Sequence, residues 1–184
     1  MYELQKLTLM HPFFAKAINY SNGSYGEGIL TRHEVLFESF PLPTPEGGEG
    51  RSLAMAHYTL GNGNRISFAT THLCHEFDEN RLAQTKEIIK ILDKIQNPLI
   101  LCGDFNFTPK NKSYHILAER FIDLAQIAGN EQSTFSSHDP QSRIDFIWLS
   151  KNIKYNIINI STLDFDYSDH KPLLAKIKIF FSKN

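Results

Sequence analysis

The 184-residue chain carries 19 Lys and Arg against 20 Asp and Glu, a net charge of −1, and is 41% hydrophobic. A chain of this length buries roughly 70% of the surface that its unfolded form exposes, enough for a core without metal or disulfide staples. The near-neutral balance excludes a protein that works chiefly by coating nucleic acid, and two cysteines, Cys74 and Cys102, are too few for a disulfide framework or a thiolate zinc site. No apolar run approaches the ~18 residues that span a bilayer, because Asp93, Lys94 and Asn97 interrupt the richest stretch. The opening Met1-Tyr2-Glu3-Leu4-Gln5-Lys6 has no basic region followed by an apolar core, so no signal peptide is expected. Together these features predict one domain over residues 1–184 and a cytoplasmic location.

In chain order, Pro41 to Gly50 is rich in proline and glycine and reads as a loop inserted between strands. Arg51 to Leu60 and Arg65 to His72 read as strands joined by Gly61-Asn62-Gly63-Asn64, whose residues tolerate positive φ, so a hairpin is predicted. Asp78 opens a helical pattern with Leu82, Ile88, Ile89, Leu92 and Ile95 on one stripe, and Pro98 closes it. Pro98 to Cys102 is a short continuous apolar run of the kind buried on both faces, ending at Gly103-Asp104-Phe105-Asn106. A shorter helix is predicted over Lys112 to Arg120, then strands over Ile144 to Leu149, Lys154 to Leu163 and Pro172 to Phe180. Strands and helices that mix without strict alternation indicate an α/β or α+β class, not a simple doubly wound parallel sheet.

Four segments place ionisable residues at predicted strand ends: Thr71-His72-Leu73, Gly103-Asp104-Phe105-Asn106, Arg143-Ile144-Asp145-Phe146 and Ser168-Asp169-His170. Read singly, each has a structural explanation. Asp and Asn after a strand make turns by bonding their own backbone, and Ser-Asp before a proline-led strand is equally a turn or cap. Asp145 is harder to dismiss, because a carboxylate among Ile144, Phe146, Ile147 and Trp148 costs several kcal/mol unless a cation or a donor faces it.

Taken together and in order, the segments resemble the endonuclease/exonuclease/phosphatase family, metal-dependent phosphoesterases that include DNase I-like nucleases, neutral sphingomyelinases and inositol-polyphosphate phosphatases. The resemblance runs from about Gly28 to Ile179 and includes Pro109 after Asn106, Thr134-Phe135 ahead of Arg143, and Pro172 after His170. It implies a four-layer sandwich, two mixed β-sheets packed face to face with helices outside. It also implies hydrolysis of a phosphoester in a nucleic acid, a small phosphodiester or a phospholipid head group. Hard oxygen ligands suit Mg²⁺ or Mn²⁺ for neutralising the phosphate. By the same resemblance Asp104 activates the attacking water, Asn106 holds that water or the phosphate, and Asp169 belongs to the metal site. His170 bonds the scissile phosphate with Asp145 fixing its tautomer, and His72 is a second phosphate contact or proton donor. Arg51 resembles a strand-borne arginine that approaches the phosphate, although a charge at a strand start is equally ordinary. His33 stands where some nuclease members carry an acidic partner.

The chain departs from the family pattern at its start. The usual first strand with an Asn, and the strand ending in Gln-Glu, have no counterpart, so an amino-terminally truncated domain is expected, with Leu4 to Phe14 as helix and approach loop and Ala15 to Tyr20 as the next strand. Glu3 and Glu27 are the nearest acidic residues, and neither is expected to be a ligand. Weak metal binding follows, as does an open sheet edge suited to self-association. Two readings of function stand: a metal-dependent phosphoesterase, or a catalytically inactive domain that binds or supports.

Overall fold

The structure is a computed structural model that describes residues 1–138, 141–151 and 153–181. Its centre is a six-stranded mixed sheet in the order β3 (Leu36–Leu42), β4 (Arg51–Thr59), β5 (Arg65–His72), β6 (Leu99–Asp104), β8 (Asp145–Ser150) and β7 (Phe121–Asp123). Only β5 and β6 are parallel, because α2 (Asp78–Leu92) crosses between them; the other neighbours are antiparallel.

Alternation along the strands decides the two faces. Leu53, Met55, Ala69, Leu101, Phe146 and Trp148 point to the side covered by α2 and α3 (Lys112–Arg120), where Ile88, Leu92, Tyr114 and Leu117 close the main core. The first turns of α2 depart from the expected apolar stripe, since they bury Asn80, Arg81, Gln84 and Thr85. Three of those side chains bind backbone: Asn80 bonds Glu46 and Gly47, Arg81 donates to Cys74 O, and Gln84 accepts from Cys74 N and donates to Pro43 O. The proline-rich loop is thus held to the helix by hydrogen bonds.

The opposite face carries two antiparallel ribbons. β1 (His11–Tyr20) pairs β2 (Gly23–Thr31), and β9 (Lys154–Thr162) pairs β10 (Leu173–Phe180). A second, smaller core joins Leu149 and Ile147 to Ile157, Ile160, Ala175 and Ile177, with α4 (Leu124–Ala128) alongside. The layered sandwich expected from the sequence is present, with its second sheet in two separate pieces. α1 (Tyr2–Thr8) lies against β1 and buries none of its residues. No helix among the described residues is long and apolar enough to cross a membrane.

Candidate active site

Register brings the four segments to one end of the central sheet. His72 ends β5 opposite Asp104, which ends β6, and Asp104 in turn is opposite Asp145, which begins β8. Arg51 begins the antiparallel β4, next to the end of β5. Parallel pairing of β5 with β6 puts two strand ends side by side, and antiparallel β4 and β8 add two strand starts. The loop with His170 is tied on by Thr134, whose carbonyl accepts from Lys171 N and whose hydroxyl accepts from Ile144 N and Asp145 N.

His170 Nδ1–H donates to Asp145 Oδ2 at 2.8 Å, and His170 Nε2 lies 3.7 Å from Asp104 Oδ2. Burial works against a charge on His170, but the Asp145 hydrogen bond and the charges of Asp145, Asp104 and Asp169 prevail and raise its pKa. Asp104 is pushed up to about 6, first by burial and then by facing Asp145, against the pull of the Asn106 amide, His170 and Arg51. Asn106 sits at φ 50°, its N–H bonds Asp104 Oδ1 at 2.8 Å, and its side-chain Nδ2 is committed to Leu73 O. The Asx turn read from sequence is therefore real, and it aims Oδ1 of Asn106 as the atom available to a ligand.

His72 is held between two groups. The Tyr25 hydroxyl is 2.9 Å from its Nδ1 and Asp104 Oδ2 is 3.3 Å from its Nε2. Burial, and after it the charges of Arg51, His170 and His75, lower its pKa to about 4, so at neutral pH His72 is an uncharged hydrogen-bonding group. A neutral imidazole of this kind offers one N–H and one acceptor nitrogen. Arg51 is buried, with Nη2 bonded to His75 Nδ1 and Glu49, while Nε and Nη1 meet no protein acceptor among the described residues. Two unpartnered N–H-bearing nitrogens on a fixed guanidinium are what an oxyanion needs.

One residue beside the site, Tyr25, escaped the sequence reading, and another, Glu27, was set aside there. Glu27 on β2 is close enough to Arg51 and Asp104 for their charges to act on it, and burial raises its pKa to about 7. Tyr25, on the same strand, orients His72. The readable signal was Asn22-Gly23, a strong hairpin dipeptide, which pairs β2 with β1 but does not record where the hairpin packs. Glu3 stays on α1, exposed and paired with Lys6. His33 lies elsewhere, exposed and stacked on Tyr58 at 4.4 Å, so it is no acidic-partner substitute. Asp169 is exposed and bonded to Ser168, outside the one cluster of potential metal-binding groups found among the described residues, Asp104, Asp145 and His170. Within that cluster His170 and Asp145 already satisfy each other. The hard oxygen donors left for a divalent cation are Asp104 and Asn106, with Glu27 near enough for the Asp104 charge to act on it, and burial raises the proton affinity of both carboxylates. Such a donor set fits Mg²⁺ or Mn²⁺.

The endonuclease/exonuclease/phosphatase family pattern matches residues 2–170. The chain belongs to this family. Carbon catabolite repressor protein 4 homolog 6 of Arabidopsis thaliana is 30% identical over 107 residues, which are 58% of this chain and 13% of that relative. The chain therefore spans about an eighth of that curated relative's length. Among solved structures, an endonuclease/exonuclease/phosphatase from Bacteroides vulgatus superposes with a TM-score of 0.82 at 20% identity, over 97% of this chain and 80% of that one. A mannosyl-6-phosphatase of Bacteroides thetaiotaomicron gives a TM-score of 0.77 at 17% identity, over 98% of this chain and 80% of its own. At such identities the structural likeness establishes the fold of this family member and no more.

Proposed function

We propose that this family member hydrolyses phosphoester bonds with Mg²⁺ or Mn²⁺. The observation that carries the proposal is the Asp145–His170 pair at 2.8 Å facing Asp104 across 3.7 Å, with Asn106 bonded to the same carboxylate.

Phosphoester hydrolysis needs a base for water, a neutralised phosphate and a stabilised leaving oxygen. Asp104 serves as the base. Its pKa near 6 leaves it ionised at neutral pH and still basic enough to take a proton. His170, whose charged form Asp145 favours, donates to a phosphate oxygen from Nε2. His72 adds a neutral N–H, Arg51 offers Nε and Nη1, and Asn106 holds the water through Oδ1. Asp104, Asn106 and Glu27, with Asp169 from the adjoining loop, would hold the metal, which when bound draws charge from the phosphate.

A small phosphoester fits better than long nucleic acid, since a net charge of −1 provides no broad cationic face. The mannosyl-6-phosphatase relative, as its name states, acts on a monoester, which supports testing monoesters beside diesters. The unbridged Cys74 and Cys102 agree with a reducing, cytoplasmic setting. The sheet edges of β2 and β10 are available for self-association, although Lys176 and Lys178 would face like charges in a two-fold pairing of β10. A catalytically inactive domain is the second reading, and the divided second sheet favours it.

The test is hydrolysis of bis-p-nitrophenyl phosphate and p-nitrophenyl phosphate with Mg²⁺ or Mn²⁺. Metal-dependent turnover in the parent, reduced at least ~10²-fold in both Asp104→Ala and His170→Ala, is expected. Folded parent protein with no turnover above these variants would remove the enzyme reading and leave the inactive domain.

A further inference from the structure

The first turns of α2 bury Asn80, Arg81 and Gln84, a polar set on the face where a helix that packs on a sheet normally carries apolar residues. Burying such groups costs free energy unless each finds a partner, and the backbone partners here come from two loops. Asn80 accepts from Glu46 N and donates to Gly47 O, and Gln84 donates to Pro43 O, all in the loop between β3 and β4. Arg81 donates to Cys74 O and Gln84 accepts from Cys74 N, just past the end of β5.

Each gripped loop carries one partner of Arg51. Glu49 lies just beyond Gly47, and its Oε2 is 2.9 Å from Arg51 Nη2; His75 follows Cys74, and its Nδ1 is 3.1 Å from the same nitrogen. A guanidinium has no acceptor, so Arg51 donates to both, and His75 accepts at Nδ1 as a neutral ring with its proton on Nε2. Both hydrogens of Nη2 are thereby engaged. Turning the guanidinium plane about its stem would break both contacts, and burial together with Tyr25, whose ring centroid is 5.9 Å from Cζ, leaves the side chain little room to swing. Nε and Nη1, which meet no acceptor among the described residues, therefore have fixed directions.

We propose that Glu49 and His75 are positioning residues for Arg51, and that the polar first turns of α2 hold both of them in place through their bonds to Glu46, Gly47 and Cys74. A free arginine samples many rotamers and loses that freedom when it closes on an anion. Arg51 has already lost it in the folded chain, so an oxyanion at Nε and Nη1 binds without that cost. That the anion is a phosphate rests on the phosphoesterase reading; that Arg51 is fixed rests on the contacts alone. The polar face of α2, which core packing leaves without a reason, has one in Arg51.

The Arg51 Nε–H, followed by nitrogen-edited NMR on the full chain, is a readout that needs no turnover. Slow exchange with water is expected in the parent, with a shift of this resonance on addition of inorganic phosphate. His75→Ala removes an acceptor without changing charge, and Asn80→Ala releases Glu46 and Gly47 while the groups at Arg51 remain; each should speed the exchange at least ~10-fold. In metal-dependent turnover of p-nitrophenyl phosphate the same variants should raise KM by about 2–13-fold with kcat nearly unchanged, and His75→Asn, which keeps an acceptor, should restore it. Glu49→Ala separates positioning from charge, because loss of a negative charge beside a phosphate would by itself lower KM, whereas a freed Arg51 raises it. Folding of each variant is checked by far-ultraviolet circular dichroism. Unchanged exchange in folded variants, or a KM that falls in Glu49→Ala, would overturn the proposal. A resonance held in the parent, freed in the variants and unmoved by phosphate would keep the positioning and sink the phosphoesterase reading.

Discussion

Replacing Gly103 by Ala attacks the strand end that carries Asp104 without touching any charged group. Gly103 adopts φ +141°, and a Cβ there would stand 1.9 Å from the backbone oxygen of Thr71, about 1.1 Å inside the 3.0 Å that real Cβ contacts respect. Thr71 is its register partner on parallel β5, so the clash falls between two paired backbones that cannot swing aside. Overpacking of this kind costs about 1–3 kcal/mol, and an L side chain at such a φ about 1–3 more. The sum, roughly 2–6 kcal/mol, is a large part of the ~5–15 kcal/mol that holds a domain together. At about 2–4 °C per kcal/mol for a chain of this size, the melting temperature should fall by roughly 4–24 °C. Relief of the clash by separating β6 from β5 shifts Asp104 by about an ångström relative to His72, and turnover should drop ~10²-fold. Thermal denaturation followed by far-ultraviolet circular dichroism, with p-nitrophenyl ester hydrolysis on the same samples, measures both. A variant melting within about 2 °C of the parent at unchanged turnover would refute the reasoning, because close approach of backbone would then not be why glycine stands there.

Glu27→Gln should reveal the buried carboxyl through pH. The folded pKa, about 7, lies above the ordinary 4.5, so the parent loses stability as pH rises from 4.5 through 7. With chelator present, the variant should melt above the parent at pH 8 and coincide with it at pH 4.5 and below; equal melting at pH 8 would mean that the carboxyl is solvated. Tyr25→Phe keeps the ring near Arg51 and removes the hydroxyl from His72 Nδ1. One lost hydrogen bond of about 0.5–1.5 kcal/mol predicts kcat lower by about 2–13-fold at unchanged KM, and unaltered kcat would show that His72 needs no such support. Isothermal titration of the parent with Mg²⁺ should give affinity weaker than micromolar, since few carboxylates stand against the charge of Arg51. Micromolar binding would require a further anionic ligand at the site.

Local chemistry marked several elements plainly. The Arg65 to His72 strand, the Lys112 to Arg120 helix and the β9 and β10 strands lie where alternation and turn residues place them, because each depends on neighbours close in sequence. The four motif segments were legible for the same reason, and as a set they indicated the family. The half-polar buried face of α2 was not, because Asn80 and Gln84 are buried only once the Pro41 to Gly50 loop supplies their partners. Glu27 looked like one more exposed acid in a glycine-rich hairpin. The charges it meets depend on β2 crossing above β4 and β5, near Arg51 at the start of β4 and Asp104 at the end of β6, and no spacing within residues 23–31 records that crossing.

The sequence by itself determined the residue types of the site and the strand ends that carry them, since turn chemistry and apolar runs act over a few residues. Only the tertiary structure decided that His72 is neutral, that Arg51 is buried with two unclaimed donors, that Glu27 comes under the charges of Arg51 and Asp104, and that the second sheet stands divided. Each of these depends on the burial and the charges that one strand receives from another distant in the chain, and those appear only when the sheets are packed.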